Sequence, residues 1–151
     1  MAGDTMEVRQ ARVDQVNKLI HVIAEYGQHF FEHGDRVSYM RLDRRGKVWF
    51  VDAYTSKRIY THYTGRWRGF TQGGTLRDLV IQLRDYIRTG DPIWARAFGP
   101  WPEWVCGGDL WGYGSDMQHV RDALVALDFP TYDHVERKIP RSPSPDTRDN
   151  G

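Results

Sequence analysis

Three short runs rich in aromatic and β-branched residues, VSYMRL (37–42), KVWFV (47–51) and RIYTHY (58–63), are separated by DRRG (43–46) and AYTS (53–56). Separators of that length return a strand onto its neighbour but are too short for a crossover. The runs therefore predict a three-stranded antiparallel meander. Three short strands are marginal alone, so one face must be covered by helices.

The flanks supply them. Val13, Val16, Ile20, Ile23 and Phe30 fall on one helical stripe, which predicts a long helix over 7–33, capped by Asp4 with Glu7 and ended by Gly34. Thr75 opens TLRD at capping-box spacing, and Leu76, Leu79, Val80, Leu83 and Ile87 carry a second helix to Gly90 and Pro92. SDMQ at Ser115 opens a third, with Met117, Val120, Leu124 and Leu127 inside and Pro130 beyond its end. The predicted class is α+β, in the order α-β-β-β-α-α.

With 151 residues the chain holds one core, assigned to a single domain over 1–136. Residues 137–151, RKIPRSPSPDTRDNG, show no apolar period and are expected to be disordered. No apolar run reaches the roughly 20 residues that cross a bilayer. MAGDTMEVRQ lacks the basic and apolar regions of a secretion signal, so a cytoplasmic protein is expected. Cys106 is the only cysteine, which excludes an internal disulfide and a cysteine-based zinc site.

The formal net charge of +1 hides an asymmetry. Between Arg36 and Arg88 twelve basic residues face four acidic ones, a net +8, whereas both flanks are acidic. A basic middle points to an anionic partner. Strand alternation puts Met40, Leu42, Val48, Phe50, Ile59 and Thr61 on one face, and Tyr39, Arg41, Trp49, Val51, Arg58, Tyr60 and His62 on the other. Rings interleaved with guanidinium groups suit nucleic acid, DNA before RNA, because cations displace counterions and rings stack on bases or sugars. Cross-strand packing on an ordinary solvated face explains the same residues equally well.

The predicted contacts are Arg41, Lys47, Lys57, Arg58, Arg66, Arg68 and Arg77 to phosphates, and Trp49, Tyr60 and Trp67 to sugars or bases. Arg66 to Arg68 lead into Gly73 and Gly74 at a helix start, where free N–H groups favour an anion. A glycine turn before a helix has the same sequence.

The segment WARAFGPWPEWVCGGDLWGYG (94–114) carries Trp94, Trp101, Trp104 and Trp111. It is too rich in glycine and proline for regular structure, so its indoles either cover the core or anchor a protein partner. The second functional reading is accordingly an inhibitor that binds a host protein complex. A third, a small metal-dependent enzyme, rests on HFFEH (29–33), where a helix would set His29 and His33 one turn apart with Glu32 between and Glu25 a turn earlier. Dipole compensation at a helix end accounts for these histidines without a metal. Cys106 with His119 gives no ordered nucleophile, a lone cysteine being more often a small buried hydrophobe. Asp109 and Asp116 read as turn and cap residues. No cofactor is implied.

GKVWFVDAYTSKRIYTHY, followed by GRWRGF and GGTLR, resembles small uncharacterised accessory proteins of proteobacterial phages, prophages and conjugative elements. The resemblance covers the first helix to Gly90 and implies a mobile-element setting in a bacterial cytoplasm. A looser likeness, three strands and a helix with GK-W then KRI, is to DNA-binding domains of the ethylene-response-factor and integrase arm-binding type. It implies that the sheet reads DNA through Arg41, Trp49 and Arg58. The glycine-rich stretch of roughly ten residues before the helix departs from that pattern.

Overall fold

Asp43 builds the first hairpin. Its Oδ1 accepts the backbone N–H of Arg45 at 2.8 Å and of Lys47 at 2.9 Å, and Gly46 closes the turn at φ 81°. Short acidic side chains fold a chain back in this way by capturing N–H groups a few residues on. Asp52 does the same in the second hairpin for Tyr54 at 2.8 Å and Thr55 at 3.3 Å.

The computed structural model describes residues 5–132; Asp4 and the predicted tail lie outside them. The elements are α1 (Met6–Glu25), β1 (Glu32–His33), β2 (Arg36–Val37), β3 (Tyr39–Leu42), β4 (Val48–Val51), β5 (Arg58–Tyr60), α2 (Gly74–Thr89), β6 (Ile93–Trp94), α3 (Met117–Ala126) and β7 (Thr131–Tyr132). Strands β3-β4-β5 form the expected antiparallel meander, so the fold is α+β. Two short additions, an antiparallel β1-β2 pair and a parallel β6-β7 pair, have no counterpart in the sequence reading.

In register, Met40 opposes Phe50, which opposes Ile59, and Leu42 opposes Val48. This inner face meets Val16 and Ile20 of α1, Leu79 and Leu83 of α2 and Val120 of α3 in one core. Thr61 is buried too, its hydroxyl donating to the Val48 carbonyl at 2.7 Å. Asn17 docks α1 on β3: its Oδ1 accepts from Met40 N–H at 2.7 Å and its Nδ2 donates to the Met40 carbonyl at 3.0 Å.

Four helix boundaries differ from expectation. Thr5 is the cap of α1, its Oγ1 accepting from Val8 N–H at 3.1 Å. The helix stops at Glu25 instead of reaching His33. Gly27 takes φ 56°, and the Tyr113 ring sits so close that a Cβ there would lie 2.2 Å from Cγ. His29 and Phe31 also have positive φ, at 55° and 71°, which no right-handed helix permits. Phe30 and Phe31 thus reach the core from irregular backbone, a solution that periodicity cannot distinguish from a helical stripe.

α2 begins at Gly74 with Gly73 as cap and no side-chain capping bond, so TLRD is not a capping box. Gly90 ends it as expected, at φ 78° with its N–H on the Tyr86 carbonyl. SDMQ does not cap α3 either. Ser115 lies in a short 3-10 turn, Gly114–Asp116, and the Asp116 carboxylate accepts from Gly27 N–H at 3.1 Å. That bond ties the start of α3 to the end of α1.

Candidate nucleic-acid interface

On the outer face of the sheet Trp49 is flanked by Arg41 on β3 and Tyr60 on β5. The rings form a short ladder, with Trp49 and Tyr60 centroids 5.2 Å apart and Tyr60 and His62 5.5 Å apart. Cations lie over it: the Arg58 guanidinium is 5.2 Å from the Trp49 centroid, and Lys47 Nζ is 5.9 Å from that of Tyr60. Trp49 is held in place by its Nε1, which donates to Asp43 Oδ2 at 2.9 Å. That bond, with those from Lys47 and Arg45 N–H and the charge of Arg41, holds the Asp43 carboxyl below its ordinary value against the cost of desolvation.

A second group follows β5. Arg66 and Arg68 are exposed around a shallow hollow shared with Gly69 and Phe70. Lys57 packs against Gly69, whose carbonyl accepts from Thr55 Oγ1 at 2.7 Å, so this loop adjoins the strand that carries Arg58. Asp52 fixes the other end of the loop, accepting from Thr71 N–H at 2.8 Å and from its hydroxyl.

Two of the expected contact residues face elsewhere. Trp67 is only 5% exposed and donates from Nε1 to the Tyr63 carbonyl at 2.8 Å. Arg77 covers it, 4.6 Å above the ring, and donates to the Gly65 carbonyl at 3.0 Å. This pair builds the loop from inside. Among the described residues, none of Arg41, Lys47, Lys57, Arg58, Arg66, Arg68 and Arg77 forms an ion pair.

The structure adds a basic cleft that the sequence reading missed. At the His62 end of the ladder a hollow of about 210 Å³ is lined by Arg9, Arg45, Gly46, Lys47, Tyr60, His62 and Arg88. Burial lowers the His62 pKa to about 4, assisted by the charges of Arg84, Arg88 and Lys47. The alternation of β5 already put His62 on this face, but Arg9 and Arg88 arrive from two helices, and nothing in their spacing signals it.

In the tryptophan-rich segment, Trp94, Trp101 and Trp104 line a mostly apolar groove of about 390 Å³ with Val105 and Leu110. Trp104 is 84% exposed. Trp111 is a core residue instead, 5% exposed and packed on Phe98 at 5.7 Å and Tyr113 at 5.5 Å. On the groove rim, desolvation raises the Asp78 pKa, opposed by the charge of Arg77.

The remaining sequence candidates are not gathered into a site. HFFEH is not helical, so the one-turn spacing required of His29 and His33 does not arise. His33 instead lies on Tyr54 at 4.5 Å, and His29 Nδ1 is 2.9 Å from the Ala24 carbonyl. Among the described residues no group of three or more His, Cys, Asp or Glu is placed to hold a metal ion. Cys106, expected to be buried, is exposed. His119 stacks on Tyr26 at 4.1 Å. No helix among the described residues is long and apolar enough to cross a membrane.

Comparison with known proteins places the chain in a family. The SPbeta prophage-derived uncharacterized protein YoqU of Bacillus subtilis (strain 168) is 35% identical over 83 residues, which covers 52% of this chain and 59% of that protein. The chain thus spans less than two thirds of the relative's length. The relative's prophage origin agrees with the expected mobile-element setting, whereas its Bacillus source does not support the expected restriction to proteobacteria. No solved structure matches. The YoqU family pattern matches residues 7–124, from α1 into α3, and the chain belongs to that family.

Proposed function

We propose that the chain is a non-enzymatic nucleic-acid-binding accessory protein of a bacterial mobile element, with DNA as its first partner and the outer sheet face as its binding surface. The observation that carries this reading is the ladder of Trp49 and Tyr60 under Arg58 and Lys47, with Arg41 beside it and no ion pair to these cations among the described residues. Cations without an ion pair keep most of their attraction for phosphate, Arg41 sharing part of its field with Asp43, and rings already aligned lose little freedom on stacking. Arg41, Lys47 and Arg58 would meet phosphates and Trp49 and Tyr60 sugars or bases. Lys57, Arg66 and Arg68 extend the track along the loop, while Trp67 and Arg77 hold that loop in shape.

Fluorescence anisotropy against labelled DNA over a salt series tests it. Each phosphate contact on duplex DNA contributes about 0.9 to the slope of log affinity against log salt, so Arg58→Gln should weaken binding and lower the slope by about that amount. Absence of binding at low salt refutes the proposal.

The groove of Trp94, Trp101 and Trp104 favours a second reading, an inhibitor of a host defence or regulatory complex. An indole 84% exposed beside an apolar groove is typical of an interface anchor. A partner recovered from host lysate after nuclease treatment, and lost with Trp104→Ala, would support it; recovery unchanged by that substitution would refute it.

A further inference from the structure

We propose that the cleft lined by Arg9, Arg45, Lys47 and Arg88 is a site for a phosphate monoester, and that in the bound complex it takes the 5′-terminal phosphate of a strand whose first nucleotide lies on Tyr60 and Trp49. The choice of a strand rests on the nucleic-acid reading above; the choice of a phosphate monoester does not.

Four cations converge there from three separate parts of the chain. Arg9 comes from the first turns of α1, Arg45 and Lys47 from the β3–β4 hairpin, and Arg88 from the last turn of α2. No carboxylate lines the cleft. Arg9 reaches it past Gly46, its Nη1 donating to that carbonyl at 3.3 Å while its Nε is buried without a partner. An unpaired buried donor is uncommon, and this one belongs to a residue that lines the cleft. Among the described residues the side chains of Arg45 and Arg88 likewise have no hydrogen-bond or ion-pair partner.

Charge and shape select the ligand. A phosphodiester carries one negative charge and passes readily over an open surface, whereas a monoester carries about 1.5 to 2 near neutral pH and presents three oxygens. Four cations around a hollow match the second better. Tyr60 lines the cleft and also belongs to the ladder, so a phosphate in the cleft leaves its nucleotide beside the rings. His62 faces Lys47 from the hairpin, Arg84 and Arg88 from α2 and Tyr60 on its own side of the sheet. Burial first and these charges second lower its pKa, and an incoming anion opposes the part due to the charges.

The test compares one short single-stranded DNA in 5′-phosphorylated and 5′-hydroxyl forms, with a nucleoside 5′-monophosphate and inorganic phosphate as free probes. The His62 ring resonances are followed by NMR as a function of pH. The 5′-phosphate should tighten binding about tenfold or more, the scale of a few charge-assisted hydrogen bonds. Arg45→Gln and Arg88→Gln should abolish that difference, whereas Arg58→Gln should weaken both forms alike. Each phosphate monoester should raise the pKa of His62.

Equal affinity for the two DNA forms, with an unmoved His62, overturns the cleft assignment and leaves the sheet-face reading intact. Binding of the free phosphates without binding of either DNA supports the cleft, identifies a free phosphorylated ligand as its source, and overturns the strand. Binding of none overturns both.

Discussion

Asp52→Asn isolates the charge on one buried oxygen pair without changing its size. Asp52 is fully buried and its carboxylate accepts from four donors: Tyr54 N–H and Thr55 N–H on Oδ1, Thr71 N–H on Oδ2, and the Thr71 hydroxyl, which lies within reach of both oxygens. An amide supplies one acceptor and one donor where two acceptors are needed. The less costly orientation turns the NH2 toward Thr71, whose hydroxyl can reorient to accept while its N–H is left unpaired. Stranding that donor costs about 1–3 kcal/mol, and the bonds from Tyr54 and Thr55 lose their charge assistance, for a total of roughly 2–4 kcal/mol. With a urea dependence of about 2 kcal/mol per M, the unfolding midpoint should fall by about 1–2 M. Thr71→Val, which removes the hydroxyl alone, should be partly redundant with it in a double-mutant cycle. A midpoint for Asp52→Asn within about 0.25 M of the parent would refute the idea that this carboxylate holds the Arg66–Arg68 loop to the sheet.

Gly27→Ala should largely abolish folding, because the new Cβ would lie 2.2 Å from Tyr113 Cγ at a φ of 56°; soluble yield and circular dichroism measure this, and a normally folded variant would contradict the packing. Asp43 has a folded pKa below its ordinary 3.8, so its contribution to stability is fully present above that pH and is lost as pH falls through the depressed value. The Trp49 indole N–H resonance should therefore shift on strong acidification, and in Asp43→Asn that acid-dependent shift should be absent.

The meander was legible because alternation has a period of two and one face must be apolar; a register slip would have exposed Met40, Phe50 and Ile59 together. For the same reason Arg41, Trp49, Arg58 and Tyr60 were placed correctly on one face. Helix ends were less legible. The α1 terminus depends on Tyr113, 86 residues beyond Gly27, and local spacing carries no record of that contact. The expectation that Trp67 stacks on nucleic acid, and the choice between core and partner surface left open for Trp111, show that tryptophan suits interfaces and cores alike. The cleft depends on the tertiary approach of Arg9 and Arg88, so only a folded chain reveals it.

The amide of Asn17 has a consequence for assembly. By occupying both outward peptide groups of Met40 at the middle of β3, it stands where a neighbouring backbone would lie. Lateral growth of this sheet is blocked on that border. On the opposite border, too, the Tyr60 carbonyl of β5 is taken, accepting from Tyr63 N–H at 3.2 Å.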